Sequence, residues 1–261
     1  MLFSFWRQRS LFIELTKREF SGKYRGSFGG IFWSFAQPLF MLAVYTVAFG
    51  VILQARWGGV GSTSEYALLL FAGLIVFNIF SEVLSKAATL VTTNPNFVKK
   101  VVFPLELLPV VVVATALLHA FIALGVWAVG YALLIGFPHW TLIFFPLVLV
   151  SFVPVVLGLG WLLSSIGVLV KDISQLTGLL NHTLLFLTPI FYSIESAPSM
   201  IQKALMLNPL SFIVEQLRLV LFYGGIPNFT GLILYFVIAS LFAVLTFLLF
   251  RWVRPSFADI L

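Results

Sequence analysis

Apolar residues along this chain gather into six long runs, near 31–53, 66–91, 105–135, 141–170, 176–194 and 229–251. A hydrocarbon core of roughly 30 Å needs about 20 residues of helix to cross it. Each run meets or approaches that length, so the pattern predicts an all-α integral membrane protein with six transmembrane helices. Ahead of the first run, residues 2–20 read as a helix. At 100° per residue Leu2, Phe5, Trp6, Phe12, Ile13 and Phe20 fall on one side, with Arg9 and Thr16 interrupting the stripe. An apolar face with Arg7, Lys17 and Arg18 elsewhere suits an amphipathic helix lying in the membrane interface. A plain basic leader that sets topology fits the same residues.

The pattern breaks at "FLTPIFYSIESAPSM", residues 186–200, which holds two prolines, a glutamate and four Ser or Thr side chains. The fifth span is expected to run from Leu176 to about Ile194, with Pro189 in its last turns, where a kink is tolerable if another group satisfies the freed carbonyl. Beyond it, 198–207 and 209–223 are two short segments separated by a capping Asn208. Neither makes a span, because Glu215 and Arg218 interrupt the second and the first has only about ten residues. Two short re-entrant helices on the outer side fit these segments. An interfacial amphipathic cap fits them too.

Composition agrees with a membrane solvent: 61% of 261 residues are hydrophobic, 9% are charged, and the chain holds 29 Phe, 7 Trp and 7 Tyr. A soluble domain of this size could not solvate such a surface. The net charge of +6 favours placement at a membrane surface over a nucleic-acid partner, and none is expected. Its distribution says more. Arg7, Arg9, Lys17, Arg18, Lys23, Arg25, Lys86, Lys99, Lys100, Lys171, Arg251 and Arg254 fall on one side of the six-span topology, against Arg56, Lys203 and Arg218 on the other. Twelve against three puts both termini in the cytoplasm by the positive-inside rule. No cleavable signal is expected, since some thirty polar and mixed residues precede the first apolar run. The chain has no cysteine, hence no disulfide framework or thiolate metal site.

Polar residues inside apolar runs are expensive and usually face protein or water. Glu82 and Lys86, four apart with the acid first, are expected to pair near the inner end of span two. His119 stands among apolar neighbours with no carboxylate close in sequence, which favours a packing histidine over a proton relay. Asn181 and His182 would contact another helix, or water if span five lines a channel. Between spans, "TTNPNFVKKVVFP" at 92–104 and "VKDISQ" at 170–175 are too short to fold as domains. Asn94 before Pro95 reads as the start of a one-to-two-turn helix, Asn as cap and Pro at the first helical position, presenting Phe97 and Lys99 to whatever lies beneath. An ordinary tight turn with snorkelling lysines also accounts for the stretch. Glu106 would stand at the mouth of the next span.

Catalytic constellations are missing. "SGKYRGS" lacks the first glycine of a phosphate-binding loop and "GGVGSTS" lacks its lysine. No H-E-x-x-H or GxSxG occurs, and His119, His139 and His182 are too scattered to read as a metal site. Any nucleotide chemistry belongs to a partner.

Five stretches carry a resemblance that runs almost end to end. They are "LTKREFSGKYRGSFGGIFWSFAQPLFMLAVYTVAFG" at 15–50, "NPNFVKKVVFPLELLPV" at 94–110, "KDISQL" at 171–176, "TPIFYS" at 188–193 and "LNPLSFIVEQLR" at 207–218. Together they resemble the membrane subunit of type-2 ABC exporters, most of all the permeases for O-antigen, capsular polysaccharide and teichoic acid. The family often has Arg where Lys171 stands, which keeps the charge but loses the fork geometry, and Pro where Ser193 stands.

The resemblance implies a single transmembrane domain over 1–261 in the bacterial cytoplasmic membrane. It makes 94–100 and 170–175 coupling helices for a cytoplasmic ATPase, with Asn94, Pro95, Phe97, Lys99, Lys100, Lys171 and Asp172 as contacts. It implies a homodimer with two ATPase subunits, ATP and Mg bound by those partners and no cofactor on this chain. The cargo would be a lipid-linked glycan, with Lys23 and Arg25 meeting lipid or a pyrophosphate headgroup, and Tyr45, Phe49 and Tyr192 facing the channel. Thr188, Pro189, Phe191, Tyr192, Glu195, Asn208, Pro209, Glu215 and Arg218 would form an outer gate, 188–193 as hinge and 197–223 as closure. Exporters of drugs or lipids share the architecture. A membrane-embedded sugar transferase would need positioned acids and bases that this chain scatters, and an ATP-independent transporter would need more ionisable groups within its spans.

Overall fold

The computed structural model describes residues 8–30, 32–52, 62–98, 103–170 and 172–260, and every regular element among them is helical. Helix α1 spans Arg9–Gly22 and α2 spans Phe32–Tyr45, continued by a π-helical turn over Thr46–Ile52. Helix α3 covers Thr63–Ala87, α4 is the single turn Pro95–Val98, α5 is Leu107–Leu134 and α6 is Phe145–Leu169, entered through a 3₁₀ turn at Trp140–Phe144. Then follow α7 (Ile173–Leu187), α8 (Ser199–Leu207), α9 (Pro209–Leu221), α10 (Phe229–Val253) and a last turn α11 (Phe257–Ile260).

The helix starts are written locally. Ser62 accepts from the Glu65 N–H and the Glu65 carboxylate accepts from the Ser62 N–H, each at 3.2 Å, a reciprocal cap that opens α3. Asn208 accepts from the Leu210 N–H at 2.9 Å, with Pro209 in the first turn of α9. Asn228 does the same for α10 through the Gly231 N–H.

Five helical stretches among the described residues are long and apolar enough to cross a membrane: Phe32–Phe49, Thr63–Ala87, Leu107–Leu134, Trp140–Leu169 and Phe229–Ser256. The expected fifth span at 176–194 is corrected in its bounds, to Ile173–Leu187. Helix α7 has 15 residues, about 22 Å at 1.5 Å each, and stops at Leu187. Thr188 precedes Pro189 and is extended (φ −94°, ψ 138°), because the proline ring clashes with a helical residue before it. Helices α8 and α9 follow as the two expected short segments, meeting at 92°.

Helix α3 is the hub. Nearly all of its middle is buried among α5, α6, α7 and α9, around Leu68, Leu69, Leu70, Ile75 and Ile79. Trp127 of α5 is fully buried and donates its indole N–H to the Leu68 carbonyl at 2.9 Å. Small residues let the helices close: a Cβ on Gly158 would meet the Phe242 ring at 2.6 Å, and one on Gly167 would land on the Ala88 carbonyl. A second apolar cluster, with Trp161, Phe247, Phe250 and Phe257, lies where α5 begins and α6 and α10 end. Helices α2 and α10 leave long apolar faces uncovered, including Phe35, Phe40, Leu234 and Leu241. In water that surface would be a liability; against acyl chains it is solvated.

Side-chain contacts define two ends. Lys86–Glu19 and Arg254–Glu106 join elements at one. Tyr66–Phe191 and Thr141–Val220 join elements at the other. The basic residues that the positive-inside count assigned to the cytoplasm and that are described here gather at the first end.

Candidate outer gate and coupling face

The non-helical strip 188–193 poses an accounting problem. Where α7 stops, a run of backbone carbonyls loses its helical donors, and a buried unpaired carbonyl costs about 1–3 kcal/mol. Distant side chains satisfy them. Arg218 of α9 donates through Nη1 to the Pro189 carbonyl at 2.6 Å and through Nη2 to the Ile190 carbonyl at 2.8 Å. Its Nε reaches the Leu69 carbonyl of α3 at 3.1 Å. The Tyr66 hydroxyl donates to the Phe191 carbonyl at 2.7 Å, and Tyr192 donates to Phe186 at 2.9 Å. Asn208 Nδ2 bonds the buried Thr188 hydroxyl at 3.0 Å and the Leu187 carbonyl at 3.3 Å.

Arg218 therefore joins α9, the strip and α3 from a position with no solvent exposure. The planar guanidinium suits this, since its fork addresses several carbonyls at fixed angles. Glu215, one turn earlier and 41% exposed, lies 3.1 Å from Nη1 and offsets the buried charge. Gly73 of α3 makes the space: a Cβ there would stand 2.9 Å from Nη2. Phe49 caps the cluster from the π-helical turn, its ring 5.3 Å from Phe191 and 6.0 Å from Tyr66. Of the residues expected at an outer gate, Thr188, Pro189, Phe191, Tyr192, Asn208, Pro209, Glu215 and Arg218 come together here. Glu195 instead sits on an exposed 3₁₀ turn, and only its backbone carbonyl is used, by Gln202. Phe49, expected to face the channel, packs on Tyr66 and Phe191, and Tyr45 lies 6.3 Å from it, one turn earlier in the chain.

At the other end α4 forms where Asn94–Pro95 predicts a helix start, with Pro95 as its first residue. The expected Asn94 cap is corrected, because its amide donates back to the Leu90 carbonyl at 2.9 Å and accepts no N–H of α4. Phe97 is half-buried and stacks on Phe103 at 4.2 Å, leaving Asn96 as the exposed residue of the turn. Glu106, at the mouth of α5, accepts from Arg254 at 2.7 Å, while its carbonyl accepts from the Trp161 indole. Asp172 opens α7 through its backbone carbonyl, which accepts from Gln175 and Leu176. Lys99, Lys100 and Lys171 lie outside the described residues.

A third cluster was not legible in the sequence. The expected Glu82–Lys86 pair forms at 3.1 Å, and Lys86 also bonds Glu19 of α1 at 2.7 Å. His119, expected as a hydrogen-bonded packing residue with no carboxylate close in sequence, finds one on another helix: its Nδ1 lies 2.8 Å from Glu82, and its Nε2 lies 3.3 Å from the Tyr24 hydroxyl. The carboxylate only accepts, so Nδ1 carries the proton. Burial, then the Glu82 charge, pushes the Tyr24 phenol above its ordinary value and keeps it a donor. Helix α1 is thereby pinned to α3 and α5. On α1 Ile13 of the expected stripe is exposed, while Thr16, which interrupts that stripe, is buried and bonds the Phe12 carbonyl at 2.8 Å. Leu2, Phe5, Trp6 and Arg7 lie outside the described residues. Lys23 and Arg25 are exposed just beyond α1. Asn181 keeps a buried Oδ1 without a hydrogen-bond partner among the described residues, and His182 is exposed.

The chain matches known proteins along most of its length. It is 26% identical over 225 residues to an O-antigen export system permease protein RfbA of Myxococcus xanthus, covering 85% of this chain and 84% of that one. It is 22% identical over 253 residues to a protein of the same name from Klebsiella pneumoniae, covering 96% and 95%. The family model described as "ABC-2 type transporter" matches residues 10–222, from α1 through the Arg218 cluster. The chain is a multi-pass membrane protein and belongs to the ABC-2 type transporter family.

Proposed function

We propose that this chain is the permease subunit of an ATP-driven exporter that carries a lipid-linked polysaccharide, of O-antigen, capsule or teichoic-acid type, across the bacterial cytoplasmic membrane. The observation that carries this reading is the similarity, over 85–96% of the chain, to permeases named for O-antigen export. Two copies of the chain enclose the path, and two cytoplasmic ABC ATPase subunits hold ATP and Mg. Both termini face the cytoplasm.

Asn94, Pro95, Phe97, Lys99 and Lys100, with Lys171 and Asp172, meet the ATPase. The half-buried Phe97–Phe103 stack and the Arg254–Glu106 bond tie α4 to α5 and the end of α10, so a push on α4 reaches two spans. At the outer side, Arg218 makes α9 and 188–191 move as one body. The corner at Asn208, between α8 and α9, is then the pivot that lets α8 uncover the mouth. Tyr45 and Tyr192 face the path, Phe49 covers the gate, and Lys23 and Arg25 meet lipid headgroups.

The test is genetic and biochemical. Deleting the gene should leave polymer on its lipid carrier inside the cell and strip it from the surface. Co-expression with an ATPase encoded beside it should yield a stable complex. Unchanged surface glycan, or a chain that binds no ATPase, overturns the reading.

A further inference from the structure

Helix α3 is buried almost throughout, yet Asn78, in its inner half, is exposed. Asn78, Ser81, Glu82 and Ser85 follow at i, i+3, i+4 and i+7, one stripe of a helix, and all face a cavity of about 370 Å³ between α2, α3, α5 and the end of α1. That volume lies within the about 300–1,000 Å³ typical of small-molecule sites. Gln37 of α2 lines the opposite wall together with Met41 and Tyr45. The side chains of Gln37, Asn78, Ser81 and Ser85 and the hydroxyl of Tyr45 make no hydrogen bond among the described residues. Glu82 is different, being engaged by His119 and Lys86. Lys23 stands at the cytoplasmic mouth.

Amides and hydroxyls without a protein partner at membrane depth are costly against acyl chains, so water or another polar occupant meets this stripe. Its chemistry is selective. The Glu82 charge is matched by Lys86 in the same wall, the polar stripe disfavours an acyl chain, and no group of metal-ligating side chains occurs among the described residues. Neutral groups that both donate and accept on one wall, facing an aromatic and a thioether on the other, match a sugar ring, with hydroxyls around its edge and an apolar C–H face.

We propose that the cleft between α2 and α3 binds a sugar unit of the glycan during its passage, Asn78, Ser81 and Ser85 bonding its hydroxyls and Tyr45 lying against its C–H face. This rests on the export reading. The cleft lies inside a single chain, so each copy would hold one unit at the cytoplasmic half of the membrane.

A photo-reactive benzoylphenylalanine placed at Asn78 or Ser85 tests it in cells that make the surface polymer, with Leu241, on the uncovered face of α10, as the control position. Irradiation should give a chain adduct that an antiserum against that polymer recognises at 78 and 85 and not at 241. In parallel, the combined variant Asn78→Leu, Ser81→Ala, Ser85→Ala should lower surface glycan at least tenfold while membrane abundance and thermal unfolding midpoint stay unchanged. Glycan export at the parental level in that variant, or adducts absent at both cleft positions in a strain whose surface glycan depends on this gene, overturns the sugar site. Surface glycan that is indifferent to deletion of the gene overturns the export reading itself.

Discussion

Arg218 is a cation whose value lies in the carbonyls it reaches. Replacing it with Met keeps much of the volume but strands the Pro189, Ile190 and Leu69 carbonyls, and a buried acceptor left without a donor costs about 1–3 kcal/mol. Arg218→Met should therefore lower the thermal unfolding midpoint of the purified protein and speed backbone hydrogen exchange at 190–193. Arg218→Lys, with one ammonium in place of a fork, should fall between it and the parent. An unchanged midpoint in the Met variant would show that the strip is held by other means. Gly73→Ala attacks the same site from α3. The guanidinium tip is fixed by three carbonyls and cannot swing away from the new methyl, so overpacking of about 1–3 kcal/mol is expected in the same melting experiment.

Among elements, α1 is fastened to the spans by polar contacts near its C-terminal end. One ion pair, Lys86–Glu19, and the chain Tyr24–His119–Glu82 fasten it to the spans. The ion pair is about one-third exposed on both sides, so Glu19→Gln should cost less than about 1 kcal/mol. Glu82→Leu removes the shared partner of Lys86 and His119. It should make Lys17, Arg18 and Lys23 cleave several-fold faster with trypsin in inverted membranes, which equal digestion of variant and parent would contradict. The contact between α6 and the turn after α3 is the opposite case. Gly167 leaves no room for a methyl against Ala88, and Ser164 bonds the Ala87 carbonyl at 3.1 Å. Gly167→Ala should reduce the folded protein recovered from membranes, whereas Ser164→Ala should cost only the about 1 kcal/mol of one hydrogen bond.

For the whole molecule, sidedness and coupling are tested together. Because the chain has no cysteine, single introduced cysteines report without background. Asn96→Cys, on the exposed side of α4, should cross-link to the co-expressed ATPase, and Met200→Cys on α8, 87% exposed at the other end, should not. Cross-linking at 200 and none at 96 would invert the proposed orientation.

The linear chain by itself determined whatever depends on solvent and on neighbours within one or two turns. Apolar run length placed α2, α3, α5, α6 and α10, because a bilayer rewards about 20 consecutive apolar residues wherever they fall. Pro95 set the start of α4 and Asn208 with Pro209 that of α9, and the i,i+4 spacing of Glu82 and Lys86 announced their pair. Tertiary structure alone decided what holds the strip after α7, the partner of His119 and the meaning of Arg218. Residue 218 is 28 or more positions from every carbonyl it bonds, and Glu82 is 37 from His119. A strip of backbone without helical donors is affordable in hydrocarbon only when a side chain from elsewhere reaches it, and pairing at that distance leaves no local period to read.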